Sequence, residues 1–214
     1  MTEPQLDDLI SSESPLTHAS AFETPGPDPA PVLDLLEAFR RSKAMFAAVE
    51  LGVFDALAPG PRSLAQLAQQ LGAQADSLQR LLDACVGLGL LTRSAEGYAN
   101  TPAAAAYLTA DSPRRLTGYI RYSNDVMWKL WAHLEDAVRE GTHRWQQAYS
   151  WDGPIFDHFF RDETAKREFL MGMHGFGVIC SPHVASAFDL SRFRPLVDLG
   201  GATGHLAIAA CQRY

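Results

Sequence analysis

The chain has 214 residues, of which 47% are hydrophobic and 20% charged, and a formal net charge of −7 at pH 7. These values are typical of a globular protein, and no apolar run approaches the roughly 20 residues of a membrane helix. Six acidic residues lie within residues 1–31, which contain no Lys or Arg, so the rest of the chain carries a net charge of −1. It therefore lacks the basic excess that nucleic-acid phosphates require.

Residues 1–31 contain six prolines, including the run Pro-Gly-Pro-Asp-Pro-Ala-Pro, and predict a disordered leader without a signal peptide. Three cysteines are spread widely along the chain, at Cys85, Cys180 and Cys211. Their odd number and spacing favour buried structural thiols in a reducing cytoplasm over a disulfide framework or a zinc site.

Residues 32–57 show helical periodicity, interrupted at Gly52, and their apolar face suits either the chain's own core or a second copy of the protein. Ser63 is the expected N-cap of a helix over residues 64–71 that Gly72 ends. A second helix is predicted over residues 75–88, followed by a hairpin over residues 90–100. Two short helices and a hairpin predict a winged helix-turn-helix.

A winged helix raises the alternative of DNA binding. The second helix offers Arg80 against two carboxylates, Asp76 and Asp83, and the wing offers Arg93 offset by Glu96. This charge suits a polyanion poorly, so we expect a structural winged helix that does not bind nucleic acid.

The pairs Thr101-Pro102 and Ser112-Pro113 predict two helix starts, the second opening a helix over residues 114–140 that Gly141 ends. Within it, four residues at helical spacing predict a core stripe: Trp131, Leu134, Ala137 and Val138. A further helix is predicted after Thr164. The Met- and Phe-rich sequence around residues 155–176 suits either an adaptable apolar pocket or a helical core.

Four histidines are candidates for chemistry: His133, His158, His174 and His183. None has the His-Glu-x-x-His spacing of a zinc site, so no metal site is predicted. His158 and His174 are candidate general bases, or ordinary core or surface residues. The chain has no G-x-S-x-G motif, so a hydrolase nucleophile has no support.

The clearest motif is Asp198-Leu-Gly200-Gly-Ala202-Thr-Gly204, which follows the apolar pair Leu196-Val197 and precedes a helix-like run. This order predicts a strand, a glycine turn and a helix. A Walker loop needs Lys after the last glycine, where this chain has His205, and a dinucleotide fingerprint places its glycines differently. The remaining form is the nucleoside-binding turn of S-adenosylmethionine enzymes. Ala202 replaces its middle glycine, which suits the turn if the φ angle there is negative.

Five segments in order resemble the class I S-adenosylmethionine-dependent small-molecule O-methyltransferases of the hydroxyindole and plant caffeic-acid type, over about residues 33–214. They are Ala47-Ala-Val-Glu-Leu-Gly-Val-Phe-Asp-Ala-Leu57, Leu81-Leu-Asp-Ala-Cys-Val-Gly-Leu-Gly-Leu-Leu91, Trp131-x-x-Leu-x-x-Ala-Val-x-x-Gly141, Phe169-x-x-x-Met173 with Ala187-Phe-Asp-Leu-Ser191, and residues 196–204.

The resemblance implies a fold: a mainly α N-terminal dimerisation domain with a winged helix, followed by the start of a Rossmann-like α/β methyltransferase domain. The implied divisions are a leader (1–31), a dimerisation domain (32–110), a helical substrate-pocket segment (111–190) and the start of the cofactor domain (191–214). It also implies a homodimer, S-adenosyl-L-methionine as cofactor and a small-molecule substrate.

The resemblance assigns site residues as well. Those implied for the cofactor are Asp198, Gly200, Gly201, Gly204 and Phe160, and those implied for the substrate are Phe156, Phe169 and Met173. No catalytic residue is assigned, since the family's catalytic histidine and ribose-binding acid are expected beyond Tyr214. The predicted function is methyl transfer to a hydroxyl of a small aromatic substrate. The alternatives are a non-catalytic dimerisation module, or a methyltransferase for a thiol or other small acceptor.

Overall fold

The computed structural model of the chain describes residues 26–193 and 195–214. Most of the predicted leader, residues 1–25, lies outside the described residues. Helix α1 spans Ala30–Glu50, so Ala30 and Pro31 form its first turn instead of ending the leader. Among the described residues, those up to Ala38 and those from Phe39 onward belong to two separate units.

Gly52 separates α1 from the short helix α2, Val53–Ala56, as predicted. Its φ of 74° lies in the left-handed region, where glycine has no Cβ to clash. Beyond this turn, Val53 and Phe54 are completely buried. The turn therefore directs the chain into the main core.

The predicted winged helix is confirmed. Helix α3 spans Leu64–Leu71 and begins with a reciprocal capping box between Ser63 and Gln66. Helix α4 spans Ala75–Gly87, and strands β1, Leu91–Ser94, and β2, Gly97–Asn100, pair antiparallel. An isolated bridge between Arg62 and Tyr98 extends this small sheet.

The Asp83 side chain of α4 binds the wing, which is the hairpin of β1 and β2. Its carboxylate accepts hydrogen bonds from the Tyr98 hydroxyl at 2.7 Å and from Arg93 Nη1 at 3.0 Å. The wing's cation is thus engaged in an ion pair within the domain. This use of Arg93 agrees with a structural winged helix.

Helix α5, Pro102–Tyr107, starts at the predicted Thr101 cap. The predicted helix over residues 114–140 is wrong in two places. The Leu116 amide donates to the Tyr107 carbonyl at 2.7 Å and folds this segment back onto α5, so the next helix starts only at Thr117. The helical segment also breaks at Ala132 and His133. Its parts are α6 (Thr117–Tyr122), a π-helix (Ser123–Met127), α7 (Trp128–Trp131) and α8 (Leu134–Glu140).

Four further helices follow in the described part of the chain: α9 (Trp145–Tyr149), α10 (Ile155–Phe159), α11 (Glu163–Ala187) and α12 (His205–Arg213). The N-cap of α11 is Asp162, whose carboxylate accepts from the Ala165 amide at 2.8 Å, so this helix starts slightly earlier than the predicted start after Thr164. Gly118 of α6 lies against Gly172 of α11, where a Cβ on Gly118 would lie only 2.9 Å from the Gly172 Cα. The two helices can therefore approach closely.

The predicted core stripe on the helix around residue 134 is wrong, and the prediction of buried cysteines holds only in part. The stripe predicted as core is exposed, since Trp131 is 62% exposed, Leu134 46% and Val138 76%. Cys85 is buried as predicted, and burial raises the pKa of its thiol to about 11. Cys180 is half-buried and Cys211 is exposed, so the prediction is wrong for Cys211.

Residues 196–199 were expected to form a strand, but none of the described residues pairs with them in a ladder. Val197 is 79% exposed and Leu199 97% exposed, although a strand of a parallel sheet is normally covered on both faces.

The described chain is mainly helical, with one two-stranded sheet. None of its helices combines the length and apolar character needed to span a bilayer.

Candidate functional site

The glycine motif forms a compact turn that leads directly into α12. The Gly204 amide donates to the Gly201 carbonyl at 2.7 Å, and the Ile208 amide donates to the Gly204 carbonyl at 2.9 Å. Gly200 and Gly204 both have a φ of 74°. No atom lies within 4 Å of the position that a Cβ would take on Gly200. The turn thus exposes bare backbone to a ligand.

Asp198 folds onto this turn. Its Oδ2 lies 2.6 Å and its Cγ 2.7 Å from the position of a Cβ on Gly201. A side chain at position 201 would therefore displace the carboxylate. Four of the residues predicted to bind cofactor, Asp198, Gly200, Gly201 and Gly204, lie together in this one turn.

A negative φ at Ala202, the condition under which alanine would suit the turn, is not met. Its φ is 49°, and Ser150 is the other described non-glycine residue with a positive value. For an L-residue this left-handed conformation costs about 1–2 kcal/mol, because Cβ approaches the backbone carbonyl. Ala202 is therefore a strained position at the centre of the turn.

Two histidines join the turn region to α11. His174 Nδ1 and Thr203 Oγ1 share a hydrogen bond of 2.7 Å, and His205 Nδ1 and Ser181 Oγ share one of the same length. The His205 ring occupies the space that a Cβ on Gly177 would need. The turn is thereby connected to one face of α11.

A second group of predicted residues meets in an aromatic cluster, formed by Phe156, Phe159, Phe160, Phe169 and Tyr122. Phe159 and Phe169 stack with centroids 4.3 Å apart. Phe156, Phe160 and Tyr122 lie 5.9–6.4 Å from the Phe169 ring. Phe156 and Phe160 are exposed, so the cluster offers an open apolar surface.

Phe160 was assigned to the cofactor and Phe156 to the substrate, yet both lie in this cluster and outside the glycine turn. Met173 is half-buried on α11, one turn after Phe169 and directly before His174. Helix α11 therefore carries part of the aromatic cluster and also contacts the glycine turn.

Phenol groups give this region its polar character. Burial raises the pKa of Tyr122, with a smaller effect from neighbouring Tyr119. Burial also raises the pKa of Tyr149, followed by the effect of the Asp125 carboxylate. The Tyr149 hydroxyl donates to the Asp125 carbonyl in the π-helix at 2.6 Å. Both phenols are therefore neutral hydrogen-bond donors near neutral pH.

The candidate base His158 lies among other rings. Its centroid is 5.3 Å from Trp151, 5.9 Å from Tyr149 and 6.0 Å from Trp145. His174, the other candidate, uses Nδ1 for Thr203. Among the described residues, no three His, Cys, Asp or Glu side chains are grouped as metal ligands would be.

Sequence reasoning missed Tyr122, Thr203 and the role of His205 beside Gly177. The spacing of Tyr119 and Tyr122 before a helix rich in Phe was a usable signal for the first. The two histidine contacts join residues 29 and 24 positions apart, so no local pattern indicates them.

Comparison with known proteins places this geometry in a family. Residues 33–110 match the model of the O-methyltransferase dimerisation domain, and residues 131–214 match that of the O-methyltransferase domain. The described fold is similar to human N-acetylserotonin methyltransferase, solved in complex with SAM, with a TM-score of 0.77 and 34% identity. That match covers 90% of this chain and 58% of the human one.

Curated proteins similar in sequence to this chain include methyltransferases as well. A human probable bifunctional dTTP/UTP pyrophosphatase/methyltransferase protein is 38% identical over 195 residues, covering 90% of this chain and 31% of the relative. Acetylserotonin O-methyltransferase of Mus musculus is 37% identical over 190 residues, covering 86% of this chain and 49% of the relative. This chain thus spans about half the length of the mouse enzyme and less of the human protein. It belongs to the O-methyltransferase family in which a dimerisation domain precedes the methyltransferase domain.

Proposed function

We propose that this chain serves S-adenosylmethionine-dependent methyl transfer to a hydroxyl of a small aromatic acceptor of the hydroxyindole or phenol type. The observation that carries the proposal is the turn at residues 198–204, which exposes backbone at Gly200 and holds Asp198 against Gly201. The turn contains no Lys or Arg, which suits a cofactor without phosphate. Relatives named for acetylserotonin, a hydroxyindole, support the acceptor class.

The chain's own residues would bind and orient both ligands. The turn would receive the cofactor through Asp198, Gly200, Gly201 and Gly204. When bound, S-adenosylmethionine supplies an electrophilic methyl group on a sulfonium sulfur. The exposed rings of Phe156 and Phe160, with Phe169 and Met173 on α11, would hold a flat acceptor and exclude water beside it.

Calorimetric titration of the full chain with S-adenosylhomocysteine tests the cofactor site. We expect saturable binding that Asp198→Ala weakens about tenfold, because the carboxylate that lies against Gly201, and that can accept a charge-assisted hydrogen bond from the ligand, is removed. Asp157→Ala, at an exposed position of α10, is the matched control and should leave affinity unchanged. A folded chain that binds no S-adenosylhomocysteine would rule the proposal out.

The acceptor is tested with a labelled methyl donor and a panel of hydroxyindoles, phenols and thiols. Methylation of hydroxyindoles or phenols agrees with the proposal. Methylation of thiols alone would replace it with the other acceptor class.

A second function rests on a separate observation. The first turns of α1 carry four exposed apolar side chains, Val32, Leu33, Leu35 and Leu36, and the last three lie within the region that matches the dimerisation domain. These residues favour a homodimer, and a chain that dimerises without binding S-adenosylhomocysteine would act as a dimerisation module only. Sedimentation velocity should show a dimer. Leu36→Glu should dissociate it, whereas Ala65→Glu, at an exposed position of α3, should not.

We also propose a cytoplasmic location from the number and spacing of the cysteines.

A further inference from the structure

One face of α11 is built to hold the glycine turn and the helix that follows it. His174, Gly177, Ser181 and Ala185 recur at intervals of three and four residues, which places them on one side of the helix. Ala185 packs with Ala209 and Ala210 of α12. Toward the turn, the apolar packing gives way to the two hydrogen bonds made by His174 and His205.

The contacts of the His205 ring with α11 depend on the hydroxyl of Ser181 and on the missing Cβ of Gly177. Ser181 is buried, and its hydroxyl meets His205 Nδ1 at 2.7 Å. The His205 ring fits only because Gly177 has no Cβ. The His174 and His205 ring centroids lie 6.3 Å apart, so the two rings are close neighbours.

The turn itself has few ways to stay ordered. Three of its seven residues are glycine, which loses more conformational freedom on folding than any other residue. Thr203 is the turn residue with a side-chain hydrogen bond to α11, and its partner is His174. Five residues earlier on the same helix, Phe169 belongs to the aromatic cluster, at an axial distance of about 7.5 Å.

We propose that His174 is a positioning residue that acts through the Thr203 hydroxyl to hold the cofactor turn at a fixed place relative to the aromatic cluster. The inference rests on the proposed function, because it names what sets the affinity of that same turn. An ordered turn binds its ligand without first losing conformational entropy, so removal of the hydrogen bond lowers affinity even when the domain stays folded.

The test compares Thr203→Val, which keeps the shape of the side chain and removes the hydroxyl, with Thr203→Ser, which keeps the hydroxyl. His174→Leu removes the other partner. S-adenosylhomocysteine should bind about fivefold more weakly to Thr203→Val and His174→Leu, the effect of one lost hydrogen bond, and normally to Thr203→Ser. The urea midpoint reports whether the whole domain has been destabilised.

Amide hydrogen exchange without ligand separates this inference from the proposed function. Residues 201–204 should exchange about fivefold faster in Thr203→Val than in the wild type, while residues 91–100 of the hairpin stay unchanged. Unaltered exchange at residues 201–204, or equal damage from the Ser and Val substitutions, would overturn the positioning role. If the exchange difference between Thr203→Val and the wild type is seen but the wild-type chain binds no S-adenosylhomocysteine, the proposed function is refuted and the positioning contact stands.

Discussion

The Asp198 carboxylate lies directly against Gly201, with Oδ2 2.6 Å from the place where a Cβ would begin. Real Cβ atoms do not approach other atoms so closely, so the two residues depend on each other. Glycine at position 201 allows the acidic side chain to fold back onto the turn. The carboxylate in turn occupies space that any other residue at this position would fill.

Gly201→Ala should therefore disrupt the turn. We expect S-adenosylhomocysteine affinity to fall at least about tenfold, because the new methyl group displaces the carboxylate from its place. Gly87→Ala in α4 introduces the same methyl group where no atom lies within 4 Å, so it serves as the control. Calorimetry on both variants gives the comparison, and equal affinities would contradict the dependence on Gly201.

Ala202→Gly should stabilise the turn. Its φ of 49° costs an alanine about 1–2 kcal/mol, while the flexibility of glycine in the unfolded chain returns part of this. We expect the free energy of unfolding to rise by about 0.5–1 kcal/mol in urea titrations. Ala84→Gly, at an exposed site inside α4, should lower it by about 1 kcal/mol. A loss of stability at both positions would show that Ala202 is not strained.

Gly177→Ala tests the contact between α11 and α12. The methyl group would occupy the space of the His205 ring, which must then move and lose its hydrogen bond to Ser181. Overpacking of this kind costs about 1–3 kcal/mol of unfolding free energy. The imidazole NMR signals of His205 should shift in Gly177→Ala and stay in place in Gly87→Ala. A variant of normal stability with an unmoved ring would disprove the close fit.

The pH dependence of stability should report the Asp83–Tyr98 contact in the wing. The Tyr98 hydrogen bond, and then Arg93, lower the pKa of Asp83, although partial burial opposes them. Stability from this carboxylate is thus present above its unfolded pKa and is lost as the pH falls through the lower folded value. Burial, and then Asp83, raise the pKa of Tyr98 to about 12. Its contribution is complete below its unfolded pKa and is lost as the pH rises toward 12.

Tyr98→Phe should reduce the pH dependence of unfolding at both the acid and the alkaline end. Tyr107→Phe is the matched control, since no hydrogen bond of the Tyr107 hydroxyl is found among the described residues. Urea unfolding across the pH range measures both variants. An unchanged acid limb in Tyr98→Phe would show that Asp83 does not depend on this phenol.

Much of the first hundred residues was predictable because local signals decide it. Ser63 caps α3 through a residue three positions away, and glycines at positions 52 and 72 adopt the left-handed conformations that end helical segments. The break near residue 132 and the late start of α6 were not predictable. The late start of α6 depends on the hydrogen bond from the Leu116 amide to the Tyr107 carbonyl. The Ser112-Pro113 pair between these two residues predicts a helix start, so local sequence alone indicated an earlier beginning.

In the candidate site, too, the sequence predicted some features and not others. The order of Asp198 and the glycines indicated a ligand-binding turn from the sequence alone. The contact between His174 and Thr203 depends on where α11 lies, because it joins residues that are 29 positions apart in the chain. Local patterns can predict that a turn exists, but its anchoring is a property of the packed helices.

Phe169→Leu should separate acceptor binding from cofactor binding. The Phe169 ring stacks on Phe159 at 4.3 Å and lies within 6.4 Å of Phe156 and Phe160. Leucine keeps most of the apolar volume but removes the flat surface, and an aromatic pair contributes about 0.5–1.5 kcal/mol beyond its buried area. We expect affinity for 5-hydroxyindole to fall several-fold and affinity for S-adenosylhomocysteine to stay within about twofold. Leu170→Met, the matched control at the next position of α11, should change neither. If both ligands were weakened equally by Phe169→Leu, the ring would support the whole fold and not the acceptor surface.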